Sequence, residues 1–127
     1  KYRRMEEEIV DYEEVATEDA EYLFVAYGIT SRICHSALRE LRGRGVRIGM
    51  LRPKTLFPFP SRRLAALAGQ VKLMVAAELS AGQMVRDVRL AVDGKVEVEL
   101  YNWMGGRIPT TDEIVERLAK TAAGRKA

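Results

Sequence analysis

The stretch Tyr22-Leu-Phe-Val-Ala-Tyr27, followed at once by Gly28, decides the fold of this chain. A continuous apolar run of this length is typical of a central strand that is covered on both faces. After Gly28 the pattern changes to a helical period, for which Thr30 or Ser31 is the predicted N-cap. The apolar stripe of that helix consists of Ile33, Cys34, Ala37, Leu38 and Leu41. The sequence therefore predicts a buried strand followed by a helix that packs on the sheet.

The same alternation of strand and helix continues along the chain. Apolar runs that predict strands occupy residues 46–51 and 71–77, and helical periods occupy residues 61–68 and 82–92. Residues 96–101 alternate apolar and polar side chains, so this strand is predicted at an edge of the sheet. Thr110 and Glu113 form a capping box before a last amphipathic helix. This order predicts an α/β fold with three layers, α/β/α, around a mostly parallel sheet.

The composition is that of a single globular domain. The 127 residues are 47% hydrophobic and 31% charged, which distinguishes the chain from disordered and fibrous proteins. No apolar run is long enough to span a bilayer or to act as a secretory signal, so no membrane partner is expected. One cysteine, Cys34, excludes a disulfide framework, and one histidine, His35, excludes a zinc finger. We expect a cytoplasmic protein, and the start at Lys1 predicts a piece of a longer chain.

Charge is distributed unevenly. Residues 1–21 carry three basic and nine acidic side chains, whereas the whole chain has a net charge of +3. The arginines of the basic remainder are spread without interleaved aromatic residues, so no nucleic-acid partner is expected. The predicted organisation is an acidic lead-in (1–21), a domain (22–123) and a tail that frays (124–127). Within the lead-in, residues 9–15 are compatible with an added edge strand, and the residues before them with a short helix or a linker.

The residues indicate neither a cysteine nucleophile nor a nucleotide-binding motif. Cys34 and His35 are adjacent on the predicted helix and point about 100° apart, so they do not form a nucleophile–base pair. We expect Cys34 to be packed and His35 to be exposed. The Gly28 turn lies where doubly wound folds bind phosphate, yet it matches no phosphate-binding glycine motif. A loop that only turns is favoured, and a small-ligand or nucleotide-binding sensor module is the alternative.

Two stretches that follow predicted strands contain the candidate functional residues. Residues 52–60 are stiffened by three prolines and display apolar side chains where a loop is normally polar. Residues 78–84 place a carboxylate directly after an apolar run, and both stretches lie where open α/β sheets have their sites. Either they form a stiff edge that docks onto another domain, or the loop folds onto its own core and Glu78 caps a neighbouring backbone. The candidates are Arg52, Pro53, Thr55, Leu56, Phe57, Pro58, Phe59, Pro60, Glu78, Gly82, Gln83 and Met84.

Four spaced motifs give the chain a family resemblance. They are Tyr-Gly-x-Thr from Tyr27, Arg-Pro-x-Thr-Leu-x-Pro-Phe-Pro from Arg52, Glu-x-x-x-Gly-Gln-Met-x-x-Asp-Val-Arg from Glu78, and Gly-Arg-x-Pro-Thr up to Thr110. From about Tyr22 onward the chain resembles the C-terminal part, domain II, of the α subunit of 2-oxoacid:ferredoxin oxidoreductases, most closely the 2-oxoglutarate type. Its charged start is similar to the segment that joins this part to a preceding pyrimidine-binding domain.

The resemblance implies a transketolase C-terminal-like domain with a five-stranded sheet whose first strand, residues 9–15, is antiparallel to the rest. The parent enzymes oxidatively decarboxylate a 2-oxoacid to its acyl-CoA with thiamine diphosphate, Mg²⁺, an iron–sulfur cluster and coenzyme A, and they pass electrons to ferredoxin. Thiamine diphosphate lies between the pyrimidine-binding domain and the partner subunit in such enzymes. The resemblance therefore assigns no catalytic, cofactor-binding or metal-binding residue to this chain.

On this interpretation the chain is a non-catalytic assembly domain of an oxidoreductase subunit and is inactive alone. The expected partners are the preceding pyrimidine-binding domain, the β subunit and the γ or δ subunits, with ferredoxin as the acceptor of the parent enzyme. One cysteine cannot hold an iron–sulfur cluster. The equivalent domain of a transketolase or of a 2-oxoacid dehydrogenase is a further alternative, against which the Gly-Gln-Met and Arg-Pro-x-Thr-Leu motifs argue.

Overall fold

A computed structural model describes residues 11–54, 59–79, 82–103 and 107–126 of the chain. Strands and helices alternate through these ranges, and none of the helices they contain is long and apolar enough to cross a membrane. The elements are β1 (Tyr12–Val15), β2 (Tyr22–Ala26), α1 (Gly28–Gly43), β3 (Ile48–Pro53), α2 (Ser61–Ala68), β4 (Leu73–Glu78), α3 (Gln83–Val92), β5 (Glu97–Asn102) and α4 (Thr111–Lys126).

The five strands form one sheet in the order β1-β3-β2-β4-β5. β2, β3, β4 and β5 are parallel, whereas β1 is antiparallel to β3, with Tyr12 opposite Pro53 and Val15 opposite Met50. This confirms the mostly parallel sheet with one antiparallel edge strand, and it places β5 at the other edge as predicted. The predicted strand over 9–15 is observed from Tyr12 onward, and residues 9 and 10 lie outside the described residues.

Helices cover both faces of the sheet. α1 and α4 pack together on one face, and α2 and α3 pack together on the other. β2 is buried along its whole length, as its apolar run predicts. Since successive side chains of a strand point to opposite faces, Phe24 packs into the core beneath α1 and α4, while Leu23 and Val25 pack beneath α2 and α3.

Two of the strands begin two residues later than their apolar runs. The backbone N–H of Val46 donates to Leu41 O, and that of Val71 donates to Leu67 O, each at 3.0 Å. These bonds tie Val46 and Val71 to the helix that precedes each of them. The chain therefore enters the sheet only at Ile48 in β3 and at Leu73 in β4.

The predicted N-cap of α1 is wrong. The helix begins at Gly28, whose φ of +63° lets the chain turn directly out of β2, and no side chain caps it. The Thr30 hydroxyl donates to Tyr27 O and the Ser31 hydroxyl donates to Gly28 O, both at 2.6 Å. Both hydroxyls lie inside the first turn and act as donors there, whereas an N-cap oxygen accepts a hydrogen bond.

The last helix is longer than the sequence indicates. Fraying is predicted over 124–127, whereas α4 continues to Lys126. Arg125 forms an ion pair with Glu97 at the start of β5. This contact ties the final turn of α4 to the edge of the sheet, and a cation near a helix C-terminus also interacts favourably with the helix dipole.

Candidate docking edge at the carboxyl ends of the strands

The carboxyl ends of β2, β4 and β5 meet at one edge of the sheet because these strands are parallel. We call the segments that follow them, residues 27–29, residue 79 and residues 107–110, the carboxyl edge. The chain leaves β2 toward β3 on one side and leaves β4 toward β5 on the other side, so the strand order reverses between β2 and β4. Open α/β sheets bind their ligands in the crevice at such a reversal.

Three large apolar side chains are exposed at the carboxyl edge. Ile29 follows β2 and is 46% exposed, Leu79 follows β4 and is 39% exposed, and Ile108 lies between β5 and α4 and is 52% exposed. Apolar side chains that leave successive strand ends for solvent are typical of a surface that contacts another protein. The sequence analysis missed these three residues. Their signal was a single apolar residue at a position where a turn is normally polar.

The buried carboxylate of Glu78 caps the N-terminus of α3. The side chain is fully buried; Oε1 accepts the backbone N–H of Met84 at 3.0 Å, and Oε2 accepts that of Val85 at 2.9 Å. These two N–H groups belong to the first turn of α3, which has no partner for them within the helix. Glu78 therefore acts as an N-cap supplied from the preceding strand, as one of the two sequence interpretations proposed.

Gly82 makes this cap possible. Its φ is +96°, and a β-carbon placed on it would lie 3.2 Å from Leu100 Cδ2, so both backbone conformation and space favour glycine. Met84 is buried in the core, and Gln83, the first residue of α3, is exposed. The Glu78–Met84 motif is thus a strand-to-helix junction from which Gln83 reaches the surface.

The proline-rich stretch is described only at its two ends. Arg52 Nε and Nη2 donate to Glu13 Oε1 at 2.9 and 2.6 Å, which joins β3 to β1, and Pro53 is buried. Phe59 is half-buried against the core beneath α2 and α3, and Pro60 is buried at the start of α2. The ring of Phe59 therefore packs partly on the domain itself. Candidate residues outside the described ranges are Thr55, Leu56, Phe57 and Pro58.

The cysteine and the histidine do not form a reactive pair. Cys34 is fully buried, and this burial raises the pKa of its thiol to about 12, so the nucleophilic thiolate is not populated at neutral pH. His35 is half-buried, whereas the sequence predicted exposure, because its side chain lines a groove between α1 and the β1–β3 edge. Across the described ranges, no three His, Cys, Asp or Glu side chains are grouped as metal ligands.

Comparison with known sequences identifies the relatives of the chain. The ketoisovalerate oxidoreductase subunit VorB of Methanothermobacter thermautotrophicus is 45% identical over 96% of this chain and 34% of its own length. The 2-oxoglutarate synthase subunit KorA of the same organism is 35% identical over 94% of this chain and 32% of its own length. The chain thus spans about a third of the length of these curated relatives. Identity is higher to the ketoisovalerate subunit, so these comparisons do not confirm the 2-oxoglutarate type.

Solved structures share the fold. A 2-oxoglutarate:ferredoxin oxidoreductase from Magnetococcus marinus superimposes with a TM-score of 0.82 at 22% identity, over 93% of this chain and 21% of that one. A split-gene transketolase superimposes with a TM-score of 0.69 at 17% identity, over 87% of this chain and 40% of that one. Residues 20–114 match the family model of the pyruvate:ferredoxin oxidoreductase core domain II. The chain belongs to this family, which confirms the resemblance that the motifs indicated.

Proposed function

We propose that this chain is a non-catalytic assembly domain of the α subunit of a thiamine diphosphate-dependent 2-oxoacid:ferredoxin oxidoreductase. The observation that carries the proposal is the exposure of Ile29, Leu79 and Ile108 at one edge of the sheet. At the position where related architectures hold a ligand, this domain presents apolar side chains to solvent, and its carboxylate, Glu78, is occupied in capping α3. An edge of this kind suits contact with protein better than chemistry.

The partner that we assign to the carboxyl edge is the preceding domain of the same subunit, expected to be the pyrimidine-binding domain. β1 is antiparallel to β3, so its first residue, Tyr12, pairs with Pro53 at the carboxyl end of β3. The Lys54 N–H also donates to Asp11 O at 2.9 Å. The polypeptide therefore enters this domain at the same edge that exposes Ile29 and Ile108, and a domain attached there needs only a short linker to cover them.

The chemistry of the parent enzyme belongs to its other parts. The proposed reaction is the oxidative decarboxylation of a 2-oxoacid to its acyl-CoA, with electrons passed to ferredoxin. Thiamine diphosphate, Mg²⁺, the iron–sulfur cluster and coenzyme A are assigned to the remaining domains and to the β, γ or δ subunits. The buried and single Cys34 supports this division, because cluster ligation takes several cysteines.

The substrate of the parent enzyme is the finer part of the proposal. The motifs favour 2-oxoglutarate, whereas the higher identity to VorB favours a branched-chain 2-oxoacid such as 2-ketoisovalerate. Initial rates of ferredoxin reduction by the complete enzyme with each acid distinguish the two. A kcat/KM at least tenfold higher for one of them assigns the substrate.

Docking is tested by one substitution in two contexts. Ile108→Gln in the complete subunit should lower the unfolding free energy of this domain by about 2 kcal/mol, because a covered apolar side chain is lost from an interface. In the 127-residue chain alone the same change should be nearly neutral, since Ile108 is exposed there. Leu90→Gln is the matched control, because Leu90 is 78% exposed near the C-terminal end of α3, away from the carboxyl edge.

Leu90→Gln should be neutral in both contexts. Equal effects of Ile108→Gln in the complete subunit and in the isolated chain would overturn the docking assignment. Calorimetric titration of the isolated chain with thiamine diphosphate and Mg²⁺ tests the non-catalytic part of the proposal. No saturable heat is expected, and micromolar binding would contradict the domain assignment.

A further inference from the structure

A groove with a volume of about 310 Å³ lies between α1 and the β1–β3 edge of the sheet. It is separate from Leu79 and Ile108, because it adjoins the edge strand β1 on the face of the sheet that α1 covers. Val15 and Met50 contribute its apolar lining. The polar side chains that line it and enter the argument are Glu13, Arg32, His35 and Arg52.

Among the described residues that line this groove, positive charge exceeds negative charge. Arg52 is paired with Glu13, and Lys54 Nζ lies 3.6 Å from the other oxygen of the same carboxylate. Arg52 holds the pKa of Glu13 below its usual range, so this carboxylate is ionised at neutral pH. Arg32 is exposed beside the groove and has no ion-pair partner within the described ranges. Among the described residues that line the groove, one carboxylate therefore faces two guanidinium groups, which leaves an excess of one positive charge.

We propose that this groove binds the phosphate group of a small molecule between Arg32 and Arg52. Guanidinium groups present fixed pairs of N–H donors that match phosphate oxygens, and they are preferred for this purpose. A phosphate group would gain a contact with Arg32 and compete with Glu13 for Arg52. The half-buried ring of His35 adds a polar side chain to the same wall.

The size of the groove restricts the ligand. Its volume is at the low end of the range of about 300–1,000 Å³ for small-molecule sites. It therefore suits inorganic phosphate or a single phosphate ester. The hydroxyls of Thr30 and Ser31 in the Gly28 turn already donate hydrogen bonds to backbone carbonyls. Recognition of phosphate in the groove therefore rests on side chains and not on a glycine-rich cradle. The inference goes beyond the proposed assembly role and does not depend on it.

The first test titrates the complete subunit in its native assembly with inorganic phosphate by calorimetry at low ionic strength. Arg32→Gln should weaken phosphate binding at this groove by about tenfold, because one charge-assisted contact is lost. Arg39→Gln is the matched control, since Arg39 is exposed on the same helix and does not line the groove. Other phosphate sites of the enzyme contribute equally to the titrations of the unsubstituted enzyme, of Arg32→Gln and of Arg39→Gln. Equal weakening of phosphate binding by both substitutions would show that the effect comes from the net surface charge, and it would overturn the proposal.

The second test uses a substitution that should increase the affinity for phosphate. Glu13→Gln removes the carboxylate that competes for Arg52, so it should strengthen phosphate binding by several-fold. A variant that misfolds cannot produce this gain. Unchanged or weaker binding of phosphate by Glu13→Gln would exclude Arg52 from the site and overturn the proposal.

The source of the phosphate is resolved by comparing adenosine monophosphate with adenosine in the same assay. Adenosine should not bind to the groove, and its binding with the affinity of the monophosphate would contradict recognition of the phosphate. Tighter binding of adenosine monophosphate than of inorganic phosphate, lost in Arg32→Gln, would assign a phosphate ester as the ligand. Equal binding of the two would assign free phosphate.

Discussion

A β-carbon placed on Gly49 would lie 2.8 Å from the carbonyl oxygen of Ala16. Gly49 belongs to β3, and Ala16 begins the connection from β1 to β2 that passes against it. The Ala16 carbonyl is held in place by Arg42, whose Nη2 donates to it at 2.8 Å. Glycine at this position therefore lets the lead-in segment approach the sheet closely.

Gly49→Ala should destabilise the domain by about 1–3 kcal/mol, because the added methyl group forces the backbone of the connection away from β3. Urea denaturation of the 127-residue chain measures the change. Gly43→Ala is the control, since a β-carbon there meets nothing within 4 Å, and its effect should stay within about 0.5 kcal/mol. Equal midpoints for Gly49→Ala and the unsubstituted chain would show that the connection does not pass this close.

The cap formed by Glu78 gives a second prediction. Glu78→Ala should lower the unfolding free energy by about 3 kcal/mol, because the buried N–H groups of Met84 and Val85 lose a charged acceptor. Glu78→Gln should cost about half as much, since its amide offers one oxygen where the carboxylate offered two. The exposed neighbour substitution Gln83→Ala should be nearly neutral in the same urea titrations.

A direct chemical role of Glu78 would give a different result in the complete enzyme. The capping role predicts that turnover per folded molecule is retained in Glu78→Gln. Loss of turnover without loss of stability would contradict this role.

Most of the fold is predictable from the sequence because its signals are local. β2 is a continuous apolar run because it is buried on both faces. α1 has one apolar stripe because one side of the helix packs on the sheet, and β5 alternates because one of its faces is buried. The N-cap of α1 is not predictable in this way. The positive φ of Gly28 lets the helix begin at once, which places Thr30 and Ser31 inside its first turn.

The candidate site was predicted in its position and only partly in its residues. The carboxyl ends of the strands follow from the parallel order, and the patterned residue Glu78 lies there. Its capping bonds depend on how β4 and α3 are joined in space, which a single sequence leaves open between two interpretations. The exposure of Ile29 and Ile108 depends on which neighbours fail to cover them, and the sequence signals it only by an apolar residue at a position where a turn is normally polar.

The ion pair between Glu14 and Arg63 predicts a pH dependence. Arg63 Nη2 donates to Glu14 Oε1 at 2.9 Å, and the Arg63 hydrogen bond holds the pKa of Glu14 below its ordinary value. A carboxyl whose folded-state pKa is lowered stabilises the fold above its unfolded pKa of about 4.3, and this stabilisation disappears as the pH falls through the folded-state pKa. Glu14→Gln should therefore cost roughly 1 kcal/mol at pH 7 and progressively less below pH ~4.

Urea midpoints of Glu14→Gln and the unsubstituted chain, measured over that pH range, test this expectation. Glu18→Gln controls for the loss of one carboxylate, since Glu18 is exposed and its side chain has no ion pair in the part of the chain that the structure describes. A cost of Glu14→Gln that is the same at pH 3 and pH 7 would exclude the ion pair as its source.

The N-terminus of α4 provides the last prediction. The backbone N–H of Glu113 donates to Thr110 Oγ1 at 3.2 Å, which is the first half of the predicted capping box. The Glu113 carboxylate also interacts with the Thr110 backbone, which completes the box, and it pairs with Arg107 at 2.8 Å. Thr110→Ala should therefore cost about 1 kcal/mol, the value of one lost N-cap acceptor.

Thr110→Ser is the matched variant, because it keeps the hydroxyl oxygen and should retain most of that stability. Arg107→Gln removes only the exposed ion pair with Glu113 and leaves both capping interactions in place, so its cost should be smaller than that of Thr110→Ala. Urea denaturation of the three variants ranks them. If Thr110→Ser were as unstable as Thr110→Ala, the methyl group of Thr110 and not its oxygen would be what stabilises the start of α4.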